Sequence, residues 1–99
     1  MKLAIDGLYK AFESRVRLGI MSALAVNDTL DFNALKEFLG LTDGNRASHI
    51  KALEKEQFIG VTKSFVGKKP NTQYFITALG KTAFNQHLKA LEQLIESHK

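Results

Sequence analysis

Apolar positions recur at helical spacing through most of this chain and give way once, near its middle, to a β-branched and aromatic stretch. Residues 3–12, with Leu3, Ile5, Leu8, Tyr9 and Phe12, predict a short first helix. Ser14 is placed to cap a second, Arg15 to Val26, whose Val16, Ile20, Met21 and Leu24 are spaced for an inward face. Asn27-Asp28-Thr29 reads as a loop and Leu30-Asp31-Phe32 as a very short strand. Asn33 is then in position to cap Ala34–Leu39, which Gly40 ends as a C′ glycine. Thr42 or Asp43 starts a further helix reaching about residue 56, with Ala47, Ile50, Leu53 and Glu54 on one side. Phe58–Val66 and Thr72–Ile76 are strand-like and enclose the turn signal Gly67-Lys68-Lys69-Pro70-Asn71. Thr77 caps a last helix running from Ala78 toward His98, roughly 20 residues or ~30 Å long.

Two of these predictions belong together. Gly40 to Asp43 is short enough to be the turn of a helix-turn-helix, and the hairpin follows the second helix of that pair directly. The expected fold is mainly α with a small β hairpin: a winged helix-turn-helix with a long C-terminal helix. The outer face of the helix at 43–56 carries Asn45, Ser48, Ala52 and Lys55, flanked by His49 and Lys51. It is slim, rich in donors and free of bulky apolar residues, as a helix lying in a DNA major groove must be. Arg46 falls nearer the inner face, where its stem can pack while its head reaches outward. Lys63, Lys68 and Lys69 give the hairpin at 59–76 a basic character suited to the DNA backbone or minor groove, although lysines at a tip also serve simply to keep it soluble. The other functional reading is a winged-helix protein-interaction module that docks an acidic partner. Such a module is expected to show an aromatic or large aliphatic anchor on the outer face of 44–55.

Charge sharpens this picture. The net +4 of the 99-residue chain is confined to residues 44–72, which hold six basic residues against Glu54 and Glu56, while the remainder carries eight of each sign. A polyphosphate selects such a distribution, because each neutralised phosphate releases counterions; an acidic protein could use it too. Length and a 44% hydrophobic, 24% charged composition fit one globular domain over 1–99, with no internal repeat or linker. Without cysteine there is no thiol catalyst, disulfide or thiolate metal site. The start is too soon charged for a signal peptide and no apolar run reaches membrane-spanning length, so the cytoplasm is expected.

Catalytic chemistry finds no foothold, and neither a cofactor nor a metal is expected. His49, His87 and His98 have no ligand partner at metal-binding spacing; His87 is expected on a solvated helix side and His98 near a fraying end. The glycines are scattered singly at element junctions, which excludes a phosphate-binding loop, and the serines carry no nucleophile signature.

The last helix predicts a partner. Leu79, Ala83, Phe84, Leu88, Leu91 and Ile95 form a stripe, widened by Leu94, and its second half runs past the end of so small a core. A symmetry mate is the commonest cover for such a face. Residues 78–98 are therefore the expected dimerisation helix, with Phe84, Leu88, Leu91 and Ile95 at the contact and Leu3 and Leu8 assisting.

Arg15-Val16-Arg17-Leu18-Gly19-Ile20-Met21, Leu41 to His49, Lys63 to Thr72 and Thr77-Ala78-Leu79-Gly80-Lys81 together resemble small winged-helix transcriptional regulators related in architecture to the MarR and ArsR groups. The resemblance covers nearly the whole chain. It implies a dimeric, sequence-specific regulator of double-stranded DNA of prokaryotic type; two copies related by a twofold axis would then read an inverted repeat. Asn45, Arg46, Ser48 and His49 would meet DNA from the helix, and Lys68 and Lys69 from the wing. The sensing cysteines of metal-responsive ArsR members are absent, so metal sensing does not carry over. Any small-molecule effector would have to sit in the dimer crevice.

Overall fold

Ser14 opens the first helix as its side chain predicts, accepting a hydrogen bond from the Arg17 N–H. The computed structural model describes residues 7–97, and of Asp43, Asn45 and Arg46 the backbone alone. Helix α1 spans Arg15–Ala25, strand β1 Leu30–Asp31, α2 Phe32–Leu39, α3 Asp43–Lys55, β2 Ile59–Val66, β3 Lys69–Ile76 and α4 Ala78–Glu96. The strands form one antiparallel sheet in the order β1-β3-β2, with Leu30 opposite Tyr74 and Ile59 opposite Ile76.

The segment before α1 departs from expectation. Residues 7–9 are not helical, and among the described residues before α1 the only helical turn is a 3₁₀ turn at Lys10–Phe12. Tyr9 is extended, and its N–H is donated to His87 Nδ1 on α4 at 2.9 Å, a long-range bond that a helix over 3–12 would forgo. Leu3 and Ile5 lie outside the described residues. The cap of α2 also differs: Asp31, the end of β1, accepts the Ala34 N–H at 2.7 Å, so the helix starts at Phe32 rather than after Asn33. Gly40 closes α2 in the left-handed conformation with φ 62°, as a C-terminal glycine should.

Phe12, Ile20, Met21, Leu24, Leu35, Ile50 and Leu53 are the large, fully buried side chains of the core. Each contributes on the order of 1.5–3 kcal/mol by burial. Phe12 is the aromatic hub, with ring centroids 5.1 Å from Phe58, 5.7 Å from Phe84 and 5.2 Å from His87. Phe84, expected on a pairing face, is thus buried in the core of its own domain. Leu79, placed in the same stripe, is exposed, as is Glu54 of α3.

The end of α3 carries no glycine. Gln57 stands in the left-handed region at φ 64°, and two bonds close the helix: Gln57 N–H to Glu54 O and Phe58 N–H to Leu53 O. That is a Schellman ending, completed by the burial of both Phe58 and Leu53. The same two residues receive α4. Thr77 donates its N–H to Phe58 O and its hydroxyl to Gln57 O, and its Oγ1 accepts the Gly80 N–H as the N-cap of α4.

The hairpin turn is tighter than the sequence suggests. Only Gly67 and Lys68 lie between the strands, and positive φ falls on Gly67 alone, where a II′ turn demands glycine. Lys69, Pro70 and Asn71 belong to β3. Pro70 is tolerated there because β1 pairs only with Gln73 and Tyr74, leaving this part of β3 with an open edge that needs no N–H.

Candidate nucleic-acid interface

Helix α3 is held from behind. Ile50 and Leu53 are buried, Ala47 and Ala52 are half-buried, and Ser48, Lys51 and Lys55 are exposed on the other side. The outward face thus carries a hydroxyl and two cations with no large apolar group between them. Asn45 and Arg46, expected on this helix as contacts, lie where only the backbone is described, and that backbone is helical. Gly44 in the first turn has open space where a Cβ would stand.

His49 does not point freely outward. It is half-buried, and its Nδ1 accepts a hydrogen bond from Arg17 Nε on α1 at 3.0 Å. Desolvation, and then the Arg17 charge, hold its pKa below the ordinary histidine value. The ring is therefore neutral at neutral pH, with its proton on Nε2, which makes it a fixed donor. The sequence alone gives Arg17 no role, since it is 32 residues away from His49 in the chain. The signal available for it is a second basic residue three positions beyond the Ser14 cap.

The wing extends beyond the core. From Thr62 to Pro70 every residue is exposed, including Lys63, Lys68 and Lys69. The molecule measures 59 Å along its longest axis and 26 Å and 21 Å across. Between Glu56 and Glu92 the sequence holds no acidic residue, so the whole hairpin lacks an internal counter-charge.

At the other end, Gly80, Ala83, Phe84 and His87 are the buried residues of α4, all in its first half. Beyond them Leu91 and Leu94 are half-buried, while Leu88 is 39% and Ile95 59% exposed. Asn85, Leu88, Lys89, Leu91, Glu92 and Ile95 line a shallow surface depression. Residues 7–9 lie against this helix: a Cβ on Gly7 would come within 2.9 Å of Ala90 Cβ, half-buried Leu8 follows it in the chain, and Tyr9 bonds to His87. Tyr9 also donates its hydroxyl to Gln86.

The chain matches the model of the winged helix DNA-binding domain over residues 16–95. It belongs to that family. An uncharacterized protein of Methanocaldococcus jannaschii is 39% identical over 85 residues, covering 86% of this chain and 92% of that protein. The solved structure of a transcriptional regulator homologue from Pyrococcus horikoshii OT3 superposes with a TM-score of 0.79 at 28% identity, over 96% of this chain and 99% of that one. A regulator assigned to the MarR family from Enterococcus faecalis V583 shares the fold at 20% identity, with a TM-score of 0.74 over 89% of this chain and 78% of that one. The winged-helix architecture with a long C-terminal helix read from the sequence is the one observed. The Pyrococcus horikoshii structure is described as that of a transcriptional regulator homologue and the Enterococcus faecalis one as a transcriptional regulator. Among the described residues no helix is long and apolar enough to cross a membrane.

His87 is the clearest reversal within the winged-helix frame. Expected in solvent, it is 4% exposed, packed on Phe12 and bonded to Tyr9. Burial holds its pKa below the ordinary value of about 6.5, against an opposing pull from Glu13. The unfolded chain consequently takes up a proton on this residue before the folded protein does. Stability is complete above the unfolded pKa and is lost as pH falls through it toward the lower folded value. The urea midpoint should therefore drop between pH 7.5 and pH 5. In His87→Asn, whose amide oxygen can accept the same Tyr9 N–H, that drop should shrink; an equal drop in both proteins would place its source elsewhere, His49 being the other histidine with a lowered pKa among the described residues.

Proposed function

We propose that this protein is a transcriptional regulator that binds a specific duplex DNA sequence as a homodimer. In this reading a single winged-helix unit over 1–99 places α3 in the major groove, sets the β2–β3 wing on the backbone or minor groove, and pairs through the second half of α4. The observation that carries the reading is the division of α3: Ile50 and Leu53 are buried while Ser48, Lys51 and Lys55 are turned outward, next in the chain to a wing whose lysines are all exposed. Base edges are read by compact donors and phosphates by cations, and this surface supplies both without the apolar anchor that a protein partner would need. Asn45, Arg46 and the Nε2 side of His49 are assigned to the same contact.

Two copies related by a twofold axis would read an inverted repeat with half-sites roughly one turn apart, ~34–36 Å. Selection of bound duplexes from a random pool tests this directly, and a half-site and its inverted copy should be recovered. Neutralising Lys68 and Lys69 together to glutamine should then weaken binding to all duplexes alike. It should also reduce the log–log salt slope by about 1–2, at ~0.9 for each phosphate no longer neutralised. A pool with no enriched sequence would sink the specific-regulator reading, and an unchanged slope would show that the wing stands off the DNA.

A further inference from the structure

The wing tip carries something that neither solubility nor phosphate binding requires. Phe65 is 75% exposed and Val66 67%, at the far end of a hairpin that leaves the core after its first few residues. Side chains alternate along a strand, so Phe65 shares a face of β2 with Lys63, and Pro70 stands directly opposite it on β3. Val66 lies opposite Lys69 on the other face, next to the Gly67-Lys68 turn. The tip is thus an apolar wedge of Phe65 and Pro70, with Val66 behind it, ringed by Lys63, Lys68 and Lys69.

Resting on the duplex-binding reading above, we propose that Phe65 inserts at a base step in the minor groove beside the site held by α3, locally unstacking and bending the DNA. Charge complementarity selects the occupant. An apolar ring at the end of a projecting arm, surrounded by cations and with no acidic residue between Glu56 and Glu92, suits a polyanion that also has an apolar interior. The stacked bases of DNA meet that description. Minor-groove binders use phenylalanine, methionine and proline wedges in this manner, and lysines beside the wedge hold the strands while the step opens. The wedge adds a preference that hydrogen bonding on α3 cannot supply, because pyrimidine–purine steps open most easily.

The chain contains no tryptophan, so Phe65→Trp introduces a single fluorophore at the tip while keeping an aromatic wedge. With a short duplex taken from the random pool, the indole should be quenched and shielded from acrylamide; with heparin, which has charge but no bases, it should remain accessible. Phe65→Ser should lose about tenfold or more in affinity with no change in salt slope, since stacking and not a charge is removed. Its complex should also show less bending by energy transfer between labelled duplex ends. Binding of Phe65→Trp, measured by anisotropy of labelled DNA, without quenching would overturn the wedge and leave the regulator reading intact. Absence of any duplex binding by the unaltered protein would overturn both.

Discussion

Replacing Gly80 with alanine should cost this protein about 2–4 kcal/mol, although the same change in an exposed helix interior stabilises by ~1 kcal/mol. A Cβ at Gly80 would stand 1.9 Å from the carbonyl oxygen of Phe58 and 2.9 Å from its Cα. Those are backbone atoms, so no rotamer change relieves the clash and α4 itself must move away. That movement strains the Thr77 N–H to Phe58 O and Thr77 hydroxyl to Gln57 O bonds, and it opens the packing of Phe84 against Phe12. Gly60→Ala is the control. The atoms nearest its Cβ would be those of the Phe75 ring, from 2.3 Å, and a side chain can turn aside. Urea denaturation of the two variants should rank them clearly, Gly80→Ala far below Gly60→Ala. A Gly80→Ala protein as stable as its parent would mean that α4 is not seated as described.

Changing Leu88 and Leu91 together to glutamate should give a folded monomer with DNA binding weakened by two orders of magnitude or more, on the order of 3 kcal/mol, as the second half-site goes unread. Neither side chain is fully buried within its own domain, so the fold should tolerate the change. Each leucine buried at a twofold contact is worth on the order of 1.5–3 kcal/mol before association costs, and the pair occurs twice. Sedimentation of the unaltered protein comes first. A monomer at tens of micromolar would leave the stripe as ordinary surface and remove the argument for an inverted repeat.

Long-period features are legible in the sequence. The apolar spacing of α1 and α3, the Ser14 and Thr77 caps, the Gly40 stop and the wing all emerge from residue type and position. Local signals fail where a distant group decides the matter. Asp31 rather than Asn33 caps α2 because the strand pairing with β3 ends at Asp31. Tyr9 is extended and not helical, and its N–H goes to His87, 78 positions away. The α4 stripe merges two roles: Gly80, Ala83, Phe84 and His87 face the core, and Leu88 and Ile95 lie further round the helix, past the edge of the domain. A glycine and a histidine give no apolar signal, so periodicity alone draws the inward face through Leu79 and Leu88 instead. For the candidate interface, the polar composition of α3 is evident, but the Arg17–His49 bond and the exposed Phe65 depend on tertiary placement.

The seam at Gln57 and Phe58 makes α3 and α4 parts of one calliper. α3 ends on these two residues and α4 begins by bonding to their carbonyls, so the start of α4 is tied directly to the end of α3. In the proposed pair closed through α4, the gap between the two α3 helices would be set by this seam and not by a flexible tether. One base pair inserted at the centre of an operator would rotate one half-site by roughly 36° about the DNA axis, from ~10 base pairs per turn. A tethered pair could follow that rotation; a calliper must twist either the DNA or its own hinge. If the protein pairs through α4 and reads DNA with α3 as proposed, the seam would make operator phase, as well as sequence, a quantity it measures.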